Sequence, residues 1–378
     1  MNNQSVNSSS VNSGLEGVVV AETKISDVKG AAGELSYRGE SVEALIALPF
    51  PRVVFLVVFG RMPSLAEEQS LQSFLIDHGQ LTAVEKLVLT KLPRDTHPML
   101  MLQSMVPILD LEIKKALLIE GCEESTRVEA ELGLVIAAKI PTLIANWYSL
   151  QTTDQTVAYP HHQNFHENFL LQFNGKVPTN VQVNTLDATQ ILQLEHSLNA
   201  STFAGRVAAS TQSPVQSVIS VAIGTLYGRL HGGADQAAVE MAKSIGSPEA
   251  AQAYVDDCFA RKEKIMGMGH REYKTIDPRA KILKPMAREL CTEPDAKCLF
   301  ETLVAVEDVC REKFAEKGKD IWANVEFYKG AVFQALGIPP HYFTAMFAMA
   351  RVVGYLAHYL EFNQAPRLIR PQARYVGE

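Results

Sequence analysis

Nearly the whole chain repeats its apolar residues at helical spacing, and this periodicity limits the possible folds more than any other feature. Leu299, Leu303, Val306, Cys310 and Phe314 step by four, three, four and four. They draw one apolar stripe along a helix, with Glu301, Asp308 and Arg311 outside it. Ala251, Tyr254, Val255 and Cys258 repeat the pattern after Pro248. Phe343 to Phe362 is rich in Ala, Met, Val and Leu, so a helix there is buried on most sides, and the Arg351 inside it needs an anionic partner. Ala200 to Ala209 and Ser213 to Thr225 carry small residues that let helices approach closely. Only near the start does the pattern change, where Val18 to Glu22 and Glu34 to Arg38 flank turn-like residues from Asp27 to Gly33 and predict a small β-hairpin. The fold class is therefore all-α, with a hairpin at the N-terminal end.

Charge narrows the function. Thirty-five Lys and Arg against 42 Asp and Glu leave a net charge of −7, so the average surface repels nucleic acid and anionic membranes. An anionic ligand must find a local basic cluster. The longest apolar run, Ala44 to Gly60, is broken by Pro49, Pro51 and Arg52 and falls short of the roughly 20 residues a membrane span needs. The first thirteen residues are rich in Asn and Ser, lack the features of a secretory signal, and read as a disordered tail. Five cysteines without C-x-x-C spacing indicate neither a disulfide framework nor a zinc knuckle, and point to a reducing, cytoplasmic location.

Glycines gather beside histidines. Leu230-His231-Gly232-Gly233-Ala234 precedes a helical run, where His231 can face a ligand while the glycines admit backbone N–H groups; an incidental histidine at a Gly-rich helix entry fits the same spacing. His270 lies in Gly267-Met268-Gly269-His270 among Arg271, Lys274 and Arg279, an acid–base group ringed by three cations. That suits phosphate or carboxylate, and equally a solvated basic loop. In Asn324-Val325-Glu326-Phe327-Tyr328-Lys329-Gly330, burial among apolar neighbours would make Glu326 a general base, although a surface glutamate at a helix end has the same signature. His162 and His166 have a zinc-compatible i, i+4 spacing, but no Cys or H-E-x-x-H accompanies them, so a polar loop entering a helix is preferred. His97-Pro98 reads as a turn.

Taken together, these segments resemble the citrate synthase family, in order and from about Gly14 to the C-terminus. The opening Gly14-Leu15-Glu16-Gly17-Val18-Val19 with Tyr37-Arg38-Gly39 is similar to the family's first hairpin. Glu195-His196-Ser197-Leu198-Asn199-Ala200-Ser201-Thr202-Phe203 resembles its H-E-x-N-A-S-T-F segment, with Ser197 replacing the usual glutamate. The two histidine–glycine segments, Asp277-Pro278-Arg279, Phe347-Ala348-Met349-Ala350-Arg351 and Arg370-Pro371 complete the match. The resemblance implies a two-domain helical homodimer, with residues 14–227 and 325–378 forming the large domain and 228–324 the small one. It also implies condensation of a short acyl-CoA with oxaloacetate, without a metal or any cofactor beyond the substrates. His231 would meet the thioester oxygen, His270 the ketone, and Glu326 would be the base. His196, Arg279 and Arg351 would hold oxaloacetate, with Arg370 reaching across from the other subunit. Arg271 and Lys274 would meet CoA phosphates.

Besides Ser197, the chain departs from the family at the base position and at its end. Where the family has N-V-D-x-x-S-G, this sequence has Glu326 and Lys329. The extra methylene moves the carboxylate by about an ångström, a displacement that can cost on the order of 100-fold in rate. The ending Arg370-Pro371-Gln372-Ala373-Arg374 resembles that of 2-methylcitrate synthases, which accept propionyl-CoA. The expectation is a citrate-forming acyltransferase. The alternatives are a 2-methylcitrate synthase and a catalytically impaired relative that binds CoA or dicarboxylates.

Overall fold

A computed structural model describes Asn12 and residues 14–377; the expected tail over 1–13 lies outside the described residues, Asn12 apart. Among them are sixteen α-helices and one small antiparallel sheet, the all-α architecture that the periodicity dictates. No helix among the described residues is long and apolar enough to cross a membrane.

The hairpin begins later than expected. Its strands are Ser26–Lys29, Glu34–Tyr37 and Glu40–Ser41, and Val18 to Glu22 stays outside the sheet. The turn explains the shift: the N–H groups of Ala32 and Gly33 both donate to the Lys29 carbonyl, at 3.1 and 3.0 Å. Reversal is complete between Lys29 and Glu34, so Asp27 is drawn into the first strand opposite Ser36. The Tyr37 hydroxyl then donates to the carbonyls of Ile191 (3.1 Å) and Glu195 (3.2 Å), fixing the sheet to the segment before His196.

The C-terminal helix, Phe343–Asn363, is buried continuously from Phe343 to Leu360. It packs against Phe50–Phe59, Glu124–Thr153, Ala200–Ala209 and Val215–Leu226. The last two are the small-residue helices and pack closely on each other, with Gly205 facing Ala222. Within this core, Phe347, Arg351, Tyr355 and His358 follow helical spacing along one face.

A second set of helices forms around Pro294–Glu316, whose Leu299, Leu303, Val306 and Cys310 are all buried. Val325–Ala335 packs against that helix and against Ala234–Ile245 and Pro278–Leu290. Pro278–Leu290 also meets Asn180–Ile191, joining the two sets. His97 is no simple turn: it caps the helix Pro98–Met105, its Nδ1 accepting the Met99 N–H at 3.2 Å, with proline at the position where a missing donor costs nothing.

Candidate active site

Separate segments deliver the expected residues to one place. His196 follows the turn after Asn180–Ile191, His231 sits in the loop before Ala234–Ile245, and His270 in the loop before Pro278–Leu290. Arg279 and Glu326 occupy the first turns of Pro278–Leu290 and Val325–Ala335, while Arg351 lies mid-helix. The His196 and His270 rings are 5.5 Å apart, and the Tyr273 hydroxyl is 3.2 Å from His196 Nε2. His231 feels the charges of Arg351 and Glu326, and His270 those of Arg279, Asp277 and Glu326.

The hairpin holds the His270 loop in place. Gly30 O accepts the Lys274 N–H at 3.0 Å, and a Cβ at Gly30 would stand 2.2 Å from the Glu272 carbonyl oxygen. Only glycine permits that approach. Ser26 serves the other histidine: its hydroxyl donates to Glu195 and accepts the N–H of Ser197, a residue in the left-handed region at φ 53°. Gly267 and Gly269 also take left-handed conformations, so the glycines before His270 are tight turns.

Backbone donors set the His270 tautomer, because an N–H group can only donate. His270 Nδ1 accepts from the N–H groups of Glu272 (3.0 Å) and Tyr273 (3.3 Å), so the proton of the neutral ring is on Nε2. That Nε2 faces Arg279 Nη2 at 3.3 Å. Two donors therefore converge with no acceptor between them, which is a seat for a substrate oxygen. His231 Nε2 lies between a donor and an acceptor, 3.3 Å from the Ser201 N–H and 3.2 Å from Asn199 Oδ1, which itself accepts the Thr202 N–H at 3.1 Å. The Ser201 hydroxyl lies 2.8 Å from the same nitrogen and in turn accepts from Tyr355 at 2.7 Å.

Burial, reinforced by cations, keeps these rings neutral. His231 is lowered to about 4, by desolvation first and then by Arg351. His270 is lowered to about 4, by desolvation and then Arg279. His196 is depressed well below the ordinary histidine value for the same reasons, with Arg279 the leading charge. Each imidazole is therefore a neutral hydrogen-bonding group near pH 7.

The two buried arginines differ in charge balance. Arg279 is neutralised by Asp277, with Nε to Oδ1 at 3.0 Å and Nη2 to Oδ2 at 2.9 Å. Asp277 also accepts the Val325 N–H at 3.0 Å, tying the Arg279 and Glu326 segments together. Arg351 does not find the anionic partner its burial called for. Its Nε donates to the Gln193 carbonyl at 2.7 Å, its guanidinium lies over Phe347, and it makes no ion pair among the described residues. Arg351 thus stays without an ion pair, and its charge bears on His196, His231 and the buried carboxylate of Glu195.

Glu326 is largely buried but has company that the sequence reading left unassigned. Lys329, fully buried one turn later, pairs with it and stands 3.2 Å from the buried Asp235. Asn199, Ser201, Tyr355 and Asp277 were likewise not singled out. Each had a signal: Asn199 and Ser201 lie in the segment that begins at Glu195, Asp277 two residues before Arg279, and Tyr355 four after Arg351.

Other expected residues stay outside this cluster. Arg370 lies on the exposed segment after the last helix, its hydrogen bond going to Pro371. Arg271 and Lys274 are exposed on the His270 loop, where Lys274 Nζ donates to the Arg271 carbonyl at 2.8 Å. His162 faces Glu167 at 3.1 Å and buried His166 contacts Asp187; among the described residues no group of three or more His, Cys, Asp or Glu is placed to hold a metal. A recess of about 860 Å³ between Arg38, Arg61, Cys122 and Glu361 contains none of the clustered residues.

An all-helical scaffold that gathers neutral histidines, an open buried arginine and a carboxylate defines a class: enzymes that polarise carbonyl groups on a carboxylate-bearing substrate. Comparison makes the class specific. The model of the citrate synthase C-terminal domain matches residues 14–372. Citrate synthase of Acidithiobacillus ferridurans is 38% identical, over 97% of this chain and 95% of the relative. 2-Methylcitrate synthase of Shewanella oneidensis is 32% identical, over 96% and 94%. Among solved structures, citrate synthase of Pyrobaculum aerophilum superimposes with a TM-score of 0.89 at 33% identity, covering 97% of this chain and 92% of that one. The Thermoplasma acidophilum enzyme, solved as a ternary complex with carboxymethyl coenzyme A and oxaloacetate, gives 0.87 at 30% identity, covering 98% and 97%. The chain belongs to the citrate synthase family.

Proposed function

We propose that this enzyme condenses acetyl-CoA with oxaloacetate and water, giving citrate and CoA. The observation that carries the reading is the convergence of His270 Nε2–H and Arg279 on an acceptor-free point, beside a neutral His231. Glu326 takes a proton from the carbon next to the thioester, and the electron pair moves toward the thioester oxygen, which accepts a hydrogen bond from the neutral His231. The enol carbon then attacks the ketone of oxaloacetate while His270 Nε2–H and Arg279 stabilise the charge gathering on its oxygen. Hydrolysis of the resulting thioester releases CoA. No metal or further cofactor enters this reading.

Charge counting supports the substrate and the dimer. Oxaloacetate is a dianion, Arg279 is spent on Asp277, and Arg351 supplies one open positive charge. A second is needed, and Arg370 of a partner subunit fits, since in its own chain it lies exposed on the terminal segment. His196 completes the oxaloacetate site, and the exposed Arg271 and Lys274 suit CoA phosphates. We assign residues 228–324 to a small domain that closes on the large domain, 14–227 with 325–378. The site draws on both, and Val325–Ala335 packs against the small-domain helices, so that Glu326 stands where the two domains meet. A cytoplasmic location suits five free cysteines.

Two alternatives have specific support: a 2-methylcitrate synthase, from the Arg370 to Arg374 ending, and an impaired relative, from Lys329 pressed against the base. Thiol release with oxaloacetate separates them. Acetyl-CoA is expected to exceed propionyl-CoA in kcat/KM, and Glu326→Gln to lose at least about 100-fold while still binding oxaloacetate. A propionyl preference above about tenfold would select the 2-methylcitrate reading, since one methylene supplies only that order of discrimination. Full activity of Glu326→Gln, or no turnover with either thioester, would remove the base or the enzyme reading respectively.

A further inference from the structure

The sequence left unexplained how a glutamate serves at a position built for aspartate, and the structure supplies a device. Lys329 lies one helical turn beyond Glu326, with its ammonium against the Glu326 carboxylate, 3.2 Å from Asp235 and 4.2 Å from the Phe347 ring centroid. Lys329 and Asp235 are fully buried. Gly330 makes the meeting possible: a Cβ there would stand 2.5 Å from Val239 and 2.9 Å from the Asp235 carbonyl oxygen, so only glycine lets Val325–Ala335 approach Ala234–Ile245 this closely. Lys329 Nζ and Asp235 Oδ2 complete no hydrogen bond among the described residues, and both are held by charge.

We propose that Lys329 and Asp235 are positioning residues for the base: Lys329 draws the longer Glu326 side chain back along its helix, and Asp235 offsets Lys329 so that Glu326 remains able to accept a proton.

The charge balance explains why two residues are required. One ammonium between two carboxylates totals −1 before proton transfer and zero after it. With Lys329 alone, Glu326 would start in a neutral pair, and its protonation would leave a buried cation. Asp235 removes that penalty. The other charged or titratable groups that bear on Glu326 are His231, His270 and Arg279. The two imidazoles stay neutral, and Arg279 is balanced by Asp277, so Lys329 and Asp235 are the pair that tunes the base.

This inference rests on Glu326 being the base, and its test is separate from the test of that reading. The pH dependence of kcat is measured for Lys329→Met and Asp235→Asn, with oxaloacetate binding as the check on folding. Lys329→Met removes the cation, so the acid limb moves to higher pH; Asp235→Asn removes the offsetting anion, so it moves to lower pH. Each shift is expected to reach about one unit, as for a buried opposite or like charge within a few ångströms. Asp235→Asn/Lys329→Ser removes both fully buried charges together, covering the case in which a single variant does not fold. In that background Glu326→Asp is expected to raise kcat, whereas in the wild-type background it lowers it. Shifts in the same direction, no shifts, or an effect of Glu326→Asp independent of Lys329 would overturn the proposal. If Glu326→Gln itself kept full activity, the base reading would fail instead.

Discussion

At the residue scale, the site is built by making side chains neutral or charged against their solution habits. His231 and His270 are each held near 4 by burial, against 6.5 in an unfolded chain. Between these values the unfolded chain binds more protons than the folded one, so stability rises with pH across that window. It is therefore full above about pH 6.5 and is lost as pH falls toward 4, by at most about 1.4 kcal/mol per pH unit for each ring. His231→Gln and His270→Gln should each flatten the slope of unfolding free energy between pH 6.5 and 4, as read from denaturant midpoints at several pH values. Equal slopes in wild type and both variants would show that neither ring is held neutral. Lys329 belongs to the same economy of charge: removing one member of a buried ion pair costs about 3–5 kcal/mol, because its partner stays buried and unpaired. Asp235, raised to about 6 by its burial, can escape part of that cost by taking up a proton.

At the scale of elements, the hairpin and the His270 loop form one unit. Gly30→Val would drive a side chain into the Glu272 carbonyl, part the strands from the loop and release His270 and Tyr273 together. Overpacking of this kind costs about 1–3 kcal/mol. The KM for oxaloacetate should rise and kcat fall, whereas Gly14→Ala, where a Cβ meets nothing within 4 Å, should leave both unchanged. Kinetics of Gly30→Val matching wild type would separate the hairpin from the site. What the sequence disclosed follows from the same physics. The helices were legible because a stripe such as Leu299, Leu303, Val306 and Cys310 writes burial directly into spacing. The histidines and arginines were legible through motifs in order. The first strand was misplaced because two backbone hydrogen bonds to Lys29, not residue preference, determine where the chain reverses. The Lys329–Asp235 pair was invisible for another reason: it joins residues far apart in sequence through a helix contact that only Gly330 permits.

At the scale of the whole molecule, the unresolved quantity is one positive charge. The site of a single chain offers Arg351 unpaired and Arg279 already paired, yet the proposed substrate, oxaloacetate, carries two carboxylates. If Arg370 of a partner supplies the second charge, each site is shared, and twofold symmetry requires two identical shared sites per dimer. That arrangement can be read from mixtures. An Arg370→Ala chain has intact histidines but no arm to lend, while a His270→Ala chain has the arm but lacks the His270 imidazole. Each variant alone should be nearly inactive. In a hybrid dimer one site combines the histidines of the first with the arm of the second and is wild type, while the other site carries both lesions. Unfolding and refolding an equimolar mixture makes hybrids about half of all dimers, so about one quarter of the wild-type activity should return. Were Arg370 to act within its own chain, no subunit pairing could assemble an intact site, and the refolded mixture would be as inactive as its components.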